Sequence, residues 1–394
     1  METLRLEPLA AEALAPAVAA IVAGAAPAKL MAVRGMAPLR PADLLVAVYQ
    51  LSFDTDAAVK AAAEAAPGGL PDKILLAPLG EPLPPRVLHF FAEHLPKGRR
   101  QAMEKILFNR ATADETFVYL ARNLDEAGLE IIFQNEVRLL RSMALVEALY
   151  FNRNARMSSV SRALELCARN KLRPEGIPGF DEIAAALMAD PNAVAPSSSD
   201  EVFSAVLSGG ESAQLVLASD PAQQDGAGAA NEVPTVAPSA DGQSGEADAD
   251  KKKRGGTTFI KFDELKIFEK IRLATVGNAF CRQVLIRDTN RLVAMSVIRS
   301  PSITDMEVIA AASNRAVCDD VIRYIANSRE YTKDYAVKQA LVNNPKCPLA
   351  MSLRLLSFLH ASDLKTLSRS RNVPGALATA AKKLIQTREK PSGG

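Results

Sequence analysis

The residue types that most often carry chemistry are scarce in this sequence. It contains only three histidines, His89, His94 and His360. His89 and His94 lie five positions apart, so they do not share a helix face as an i, i+4 pair of metal ligands does. His360 follows Leu359 at an expected helix end, where an imidazole interacts well with the terminal carbonyl groups. The histidines therefore predict structural or surface roles.

Motifs for nucleotide binding and covalent catalysis are missing from the sequence. No GxGxxG, GxxxxGK[ST], HExxH or GxSxG pattern occurs. The run KKKRGGTT at 251–258 has the residue types of a phosphate loop in the wrong order, and we interpret it as a solvated basic patch. Cys318 precedes two aspartates, but no histidine stands nearby in the sequence to activate its thiol. We therefore predict no catalytic residue, no cofactor and no bound metal, with an enzyme of distant catalytic partners as an open alternative.

Charge is distributed unevenly along the 394 residues. Residues 1–195 carry 21 Lys and Arg and 23 Asp and Glu, residues 196–250 carry none and 10, and residues 251–394 carry 26 and 12. The segment charges of −2, −10 and +14 sum to the formal net charge of +2. A strongly basic segment favours an anionic partner, and a solvated basic surface is the alternative.

The basic stretch at 315–338 is the strongest local candidate for a binding site. It holds three of the six tyrosines of the chain among cationic side chains. Such cations can neutralise phosphates, and a tyrosine ring can stack on a base or line a groove. Alternatively, the tyrosines pack between helices and the charges solvate the outer surface. The candidate residues for binding a partner or an anion are Arg315, Arg323, Tyr324, Arg329, Tyr331, Lys333, Tyr335 and Lys338.

The elements that must position these residues are helices. Apolar residues recur at helical spacing, as at Val321, Ile322 and Ile325. In contrast, residues 221–250 contain no Leu, Ile, Met or aromatic residue, and such a segment cannot bury enough apolar area to offset the ordering of its backbone.

These patterns predict an all-α fold in three parts. We expect an N-terminal helical-repeat module at 1–195, an acidic disordered linker at 196–256 and a basic C-terminal helical-repeat module at 257–387. Residues 201–217 are less polar than the rest of the linker, and they either belong to it or form a short docking helix.

A helix–turn–helix unit recurs within the helical segments. Each copy joins a short apolar helix to a second helix through a polar break, and two copies share the tripeptide Phe-Asn-Arg. The asparagine at the break tolerates the left-handed conformation that ends many helices. Thr112 with Glu115, and Thr304 with Glu307, have the spacing of a capping box. The copies lie at 102–121, 145–164, 291–310, 334–356 and 363–385.

Units this small cannot bury their apolar faces alone, so we expect them to stack as an irregular α-solenoid. In these units, and in the phrase DTDAAVKAAAEA at 54–65, the sequence resembles HEAT-like and leucine-rich-variant helical repeat proteins. Residues 258–385 are also similar to a bacterial helical domain that recurs in proteins of unassigned role. The resemblance implies a curved helical array that binds other molecules, without catalytic residues.

The sequence predicts a non-enzymatic scaffold or adaptor that binds protein partners through helical-repeat surfaces. The alternative is nucleic-acid or other polyanion binding by the basic C-terminal module, modulated by an acidic linker that competes for the same surface. The four cysteines form no CxxC pair, and no uncharged apolar segment approaches the length of about 18 residues that spans a membrane. We therefore expect a cytoplasmic protein with no membrane span.

Overall fold

The computed structural model of the protein describes residues 4–189, 200, 203, 262, 265–370 and 372–389. Within these residues the regular elements are 22 α-helices and two short 3₁₀ helices, with no strand. This confirms the predicted all-α class. Apart from residues 200 and 203, the predicted linker at 196–256 lies outside the described residues.

Thirteen of the described helices precede residue 190. They are α1 (Pro16–Val22), α2 (Ala26–Val33), α3 (Pro41–Leu51), α4 (Ala57–Gly69), α5 (Asp72–Leu79), α6 (Pro85–His94), α7 (Arg100–Phe108), α8 (Asp114–Asn123), α9 (Glu126–Phe133), α10 (Glu136–Arg141), α11 (Met143–Phe151), α12 (Met157–Arg169) and α13 (Phe180–Ala189). Proline opens α1, α3 and α6, where its missing N–H costs no helical hydrogen bond. The carboxylates of Asp56 and Asp125 accept backbone hydrogen bonds at the starts of α4 and α9.

Nine further helices follow residue 265. They are α14 (Ile267–Val276), α15 (Ala279–Leu285), α16 (Arg291–Ile298), α17 (Asp305–Ser313), α18 (Asp319–Asn327), α19 (Tyr335–Asn343), α20 (Leu349–Leu356), α21 (Ala361–Arg369) and α22 (Gly375–Glu389). A 3₁₀ helix at Tyr331–Lys333 lies between α18 and α19. The capping box predicted at Thr304 is confirmed at the start of α17, where the Thr304 side chain and Glu307 exchange hydrogen bonds with each other's backbone amides.

The helices stack in two layers, because most of them pack against the helix two or three positions away in the chain. One layer contains α2, α4, α6, α8, α11, α14, α16 and α18 in unbroken succession. The other contains α1, α3, α5, α7, α9, α12 and α13. This is the stacking that the repeats predict, since each unit covers the apolar face that its predecessor leaves open.

Apolar side chains between the layers form one continuous core. Val321, Ile322 and Ile325, whose spacing indicated a helix, are completely buried in it. The buried cluster extends from Ala32 to Ala381. The described helices on the two sides of the predicted linker therefore share a core, while the predicted linker boundaries themselves fall outside the described residues.

The asparagines that mark the repeats are buried links between successive units. Asn109, Asn152 and Asn344 each cap the C-terminus of a helix and are at most 7% exposed. The Nδ2 of Asn109 donates hydrogen bonds of 2.7 Å to the carbonyl oxygens of Leu79 and Glu81 at the end of α5. The equivalent bonds join Asn152 to Ala121 and Leu124, and Asn344 to Ala312 and Asn314.

The prediction that these asparagines adopt the left-handed conformation is wrong. Their backbones are extended, with φ of −73° at Asn109, −74° at Asn152 and −87° at Asn344. Asparagine is required there because its amide both donates and accepts. While Nδ2 reaches back to the preceding unit, Oδ1 accepts a hydrogen bond from the amide two residues further on.

The predicted capping box of Thr112 and Glu115 is also wrong. Helix α8 is capped at Ala113, which provides no side-chain hydrogen bond. Thr112 is buried, and its hydroxyl donates instead to the carbonyl oxygen of Ile106, 2.6 Å away, at the end of α7. Thr112 therefore completes the helix before it rather than starting the helix after it.

Other side chains complete helix ends in the same way as the asparagines. Arg99 donates to the carbonyl oxygens of Gly68, in the last turn of α4, and of Leu70, which caps that helix, and Ser300 donates to Thr275 in α14. Arg388 in α22 donates to the carbonyls of Ser357 and Leu359 after α20. In each of these links the donor follows its acceptor in the chain.

A buried arginine links the helices on the two sides of the predicted linker. Arg272 of α14 is 1% exposed, and its guanidinium donates to the carbonyl oxygens of Tyr150, Asn152 and Ala155 at 3.3, 3.1 and 2.8 Å. The guanidinium carbon also lies 4.2 Å from the ring centroid of Phe203. Because the carbonyls at the end of α11 carry partial negative charge, they compensate a cation that is removed from water.

Candidate functional site

A groove with apolar walls lies between α6, α7, α8 and α9 and has a volume of about 310 Å³. We call it the α6–α9 groove. It forms where the C-terminal end of α6 and the following turn face the C-terminal end of α8 and the N-terminal end of α9. The groove is therefore a product of repeat stacking. Its walls are Ala92, Leu95, Met103, Leu107, Tyr119, Leu120, Leu124 and Ala127, and its polar lining includes Glu93, Lys97, Arg100, Glu104 and Asp125.

Glu93 is a polar residue of the groove that a chain of side-chain contacts positions. Its Oε1 lies 3.3 Å from Nε2 of His89, one turn earlier on α6, and its side chain is 31% exposed. His89 is buried, and its Nδ1 lies 3.0 Å from Oγ1 of Thr116 on α8. The chain Thr116–His89–Glu93 therefore runs from the core to the wall of the groove.

Both ionisable neighbours in this part of the groove have altered acidity. The hydrogen bond from His89 holds the pKa of the Glu93 carboxyl below its usual value, against the opposing effect of burial. Burial, together with the nearby Glu93 charge, raises the pKa of the Tyr119 phenol. The ring of Tyr119 also meets His89 edge to face at 5.8 Å between centroids. The groove thus contains an ionised carboxylate beside a neutral phenol.

The cations around the α6–α9 groove do not pair with Glu93. Arg100 forms an ion pair with Asp125 across the mouth of the groove. Lys97 lines the groove, but no described Lys or Arg lies within ion-pair distance of Glu93. This leaves Glu93 as a half-buried negative charge whose protein partner is an imidazole.

The structure distributes the eight candidate residues of the basic stretch over separate surfaces. Tyr324 lies beside Arg299, whose guanidinium carbon is 5.4 Å from the ring centroid. The hydroxyl of Tyr331 donates to the carbonyl oxygen of Ile298, 3.1 Å away. Arg299 precedes the stretch in sequence, so the local charge pattern did not indicate that it contacts Tyr324. The exposed residues among the eight candidates are Arg315, Arg323, Arg329 and Lys333.

Tyr335 and Lys338 lie on a different surface from Tyr324. The Tyr335 hydroxyl donates to Asp363 and accepts from the backbone amide of His360, and its ring stacks on the His360 ring at 4.3 Å between centroids. Lys338 donates to the carbonyl oxygen of Lys333. Tyr335 therefore joins α19 to the start of α21, as expected of a tyrosine that packs between helices.

Arg315 occupies a third position. It lines a shallow groove of about 340 Å³ between α17 and α19 together with Ile309, Ala336 and Asn343. Arg315 is the one member of the eight candidate residues that lines this groove. The contacts of the candidate residues therefore do not bring them together in a single cluster.

A larger groove of about 610 Å³ lies between residues 173–182 and α16. Two of the three arginines that line it form ion pairs. Arg173 pairs with Asp181 at 2.6 Å, and Arg291 pairs with Asp320 at 2.9 Å. Of the arginines that line it, Arg299 contacts the ring of Tyr324 instead of a carboxylate.

The remaining histidines have structural contacts. Nδ1 of His94 lies 2.9 Å from the carbonyl oxygen of Phe90. The prediction that His360 interacts with carbonyls at a helix end is wrong, because His360 caps the N-terminus of α21. Within the described part of the chain, no group of His, Cys, Asp or Glu side chains is arranged to hold a metal ion. All four cysteines are free thiols.

Comparison of the chain with known protein families, with curated proteins and with solved structures finds no match. None of the described helices combines the length and the apolar character needed to cross a lipid bilayer.

Proposed function

We propose that the protein is a non-enzymatic scaffold or adaptor that binds a protein partner through the surface of its helical array. The observation that carries this proposal is the α6–α9 groove, whose walls are mostly aliphatic and whose rim is charged. Protein interfaces combine an apolar centre with a polar rim, and helical grooves commonly receive apolar side chains of a partner segment. The resemblance to HEAT-like repeat proteins agrees with this use of the array.

Shared packing along the array supports a scaffold role. The helices that form the α6–α9 groove belong to the same succession of layers as α14, α16 and α18. Residues on these surfaces are therefore held at defined separations by a packed core. A partner bound at the α6–α9 groove would lie at a fixed distance from one bound near α16 or α18, which is what a scaffold requires.

Polyanion binding by the C-terminal helices is the second candidate. Arg323, Arg329 and Lys333 are exposed and have no carboxylate within ion-pair distance among the described residues. Such cations can contact phosphates. The tyrosines offer less support for base stacking, since the hydroxyls of Tyr331 and Tyr335 bond to other helices.

Affinity capture with the full chain tests the proposed function. The exposed Ala127 lines the α6–α9 groove, and a Trp there would fill it. Ala61, an exposed residue of α4 outside the groove, provides the matched control. We expect the wild type and Ala61→Trp to retain one defined protein after nuclease treatment and at moderate salt, and Ala127→Trp to lose it. Retention that disappears with nuclease, or that weakens steeply with salt, would instead favour the polyanion candidate.

The proposal extends to the cellular compartment of the protein. We infer that the protein acts in the cytoplasm. The free state of all four cysteines supports this, because free thiols persist in a reducing compartment.

A further inference from the structure

We propose that the α6–α9 groove binds a basic side chain, an arginine or a lysine, of a partner protein segment, with Glu93 as its counter-ion. This inference rests on the proposed function and specifies the chemistry of the partner. It is carried by the placement of a half-buried carboxylate, with no described Lys or Arg at ion-pair distance, beside the aliphatic and aromatic walls of this groove.

The described residues give Glu93 a hydrogen bond from His89 and a smaller electrostatic contribution from His94, but no Lys or Arg at ion-pair distance. When Nε2 of His89 carries the proton and donates to Glu93, Nδ1 accepts the hydroxyl proton of Thr116. This neutral tautomer satisfies both ring nitrogens at the observed distances. The imidazole then orients the carboxylate without neutralising it. A carboxylate so placed is stabilised further by a ligand cation.

The shape of the groove fits the long stem of a basic side chain. Met103 and Leu120 are nearly fully buried and form apolar walls, and Leu124 lies beside them at the end of α8. Lysine and arginine pack their methylene groups along such surfaces while the charged end reaches a polar group. A volume of about 310 Å³ accommodates one such side chain together with a neighbouring apolar residue of the same segment.

Tyr119 adds a second feature that favours a cation. Its ring lines the groove and its phenol lies within electrostatic range of Glu93. A guanidinium or ammonium group bound to Glu93 can therefore also meet an aromatic face, and an aromatic face attracts cations. Of the two cations that line the groove, Arg100 pairs with Asp125, and Lys97 is not at ion-pair distance from Glu93.

Selection of peptides from a displayed random library on the full chain tests this inference. The selected peptides are then measured by fluorescence anisotropy against wild type, Glu93→Gln and Glu64→Gln. Glu64 is an exposed residue of α4 outside the groove and serves as the matched control. We expect peptides that Ala127→Trp excludes to share an arginine or lysine next to an apolar residue. Glu93→Gln should weaken them about tenfold or more, and Glu64→Gln should leave them unchanged.

A change in the peptide gives a readout that does not depend on the folding of the variant. Replacing the shared basic residue by norleucine should weaken binding to the wild type by a similar factor, and should have little further effect on Glu93→Gln. Groove-binding peptides with no basic residue, unaffected by Glu93→Gln, would overturn the inference and leave the proposed function standing. Failure to select any peptide that Ala127→Trp excludes would count against both.

Discussion

The guanidinium of Arg272 donates a 2.8 Å hydrogen bond to the carbonyl oxygen of Ala155, 117 positions earlier in the chain. Together with the bonds to Tyr150 and Asn152, it makes α14 the successor of α11 in the same layer. The cation has no carboxylate at hydrogen-bond distance, and burial lowers its pKa to about 10. Backbone carbonyls, together with the ring of Phe203, therefore surround a buried charge at the point where the two helical segments meet.

Removing the Arg272 side chain should separate the unfolding of the two segments. Arg272→Met removes the guanidinium donor from three carbonyls, and we expect the protein to lose about 2–4 kcal/mol of stability. Urea unfolding of the wild type, followed by circular dichroism, should be a single transition, and that of the variant should broaden or split. The exposed Arg287→Met is the control and should unfold like the wild type. Equal midpoints for Arg272→Met and Arg287→Met would contradict this role.

Two adjacent asparagines should differ sharply in their effects on stability. Asn344→Ala removes the amide that bonds to Ala312 and Asn314, so a buried carbonyl loses its donor, at a cost of about 1–3 kcal/mol. Asn343 is exposed and bonds only within its own helix, to Gln339, so Asn343→Ala should cost much less. Denaturant midpoints of the two variants measure the difference. A similar loss at both positions would show that the link between units contributes nothing specific.

The thiols should react in an order set by burial. Cys318 is half-buried at the start of α18, whereas Cys167, Cys281 and Cys347 are at most 6% exposed. Iodoacetamide at neutral pH should therefore modify Cys318 first, with the other three protected until the protein unfolds. Peptide mapping by mass spectrometry after timed labelling gives the order. Early modification of Cys281 in the folded protein would place α15 outside the core.

Stability should fall as the pH rises above 9. Burial raises the pKa of Cys281 to about 12 and that of Cys167 to about 11, from a usual value of 9.0. The unfolded state therefore releases these protons at a pH where the folded state retains them, and unfolding becomes more favourable by up to about 1.4 kcal/mol per pH unit per thiol. Urea midpoints between pH 8 and pH 10 should show a shallower decline in Cys281→Ala than in Val297→Ala, a core truncation without a titrating group. Parallel declines would exclude the effect.

The helical class and the repeat anchors could be predicted from the sequence, but the reason for the anchors could not. Helical periodicity at Val321 and Ile325 depends on residues close in sequence, and both are buried as expected. The position of Asn109 was also recognisable. Its role depends on a carbonyl of Leu79, 30 positions earlier, and no local pattern contains that information.

The candidate site was also only partly predictable from the sequence, because it depends on contacts between residues that are distant in the chain. The His89–Glu93 pair has i, i+4 spacing that the sequence displays, whereas the spacing of His89 and His94 indicated only structural or surface roles. Thr116, which completes the chain of hydrogen bonds, comes from another helix. Conversely, the basic stretch was conspicuous in sequence, but the ring of Tyr324 contacts Arg299 at the end of α16, whereas the hydroxyl of Tyr335 donates to Asp363 of α21.

In these links the donor side chain always follows its acceptor carbonyl in the chain, so the array is assembled in one direction. Side chains such as Asn109, Asn152, Asn344 and Arg388 are synthesised after the helix ends that they complete. In a nascent chain, the carbonyls at a helix end therefore lack these donors until the next unit emerges and supplies them. Shortening the protein from its front removes packing partners, whereas shortening it from its back also strips backbone carbonyls of their donors. The two kinds of deletion should thus be tolerated very differently.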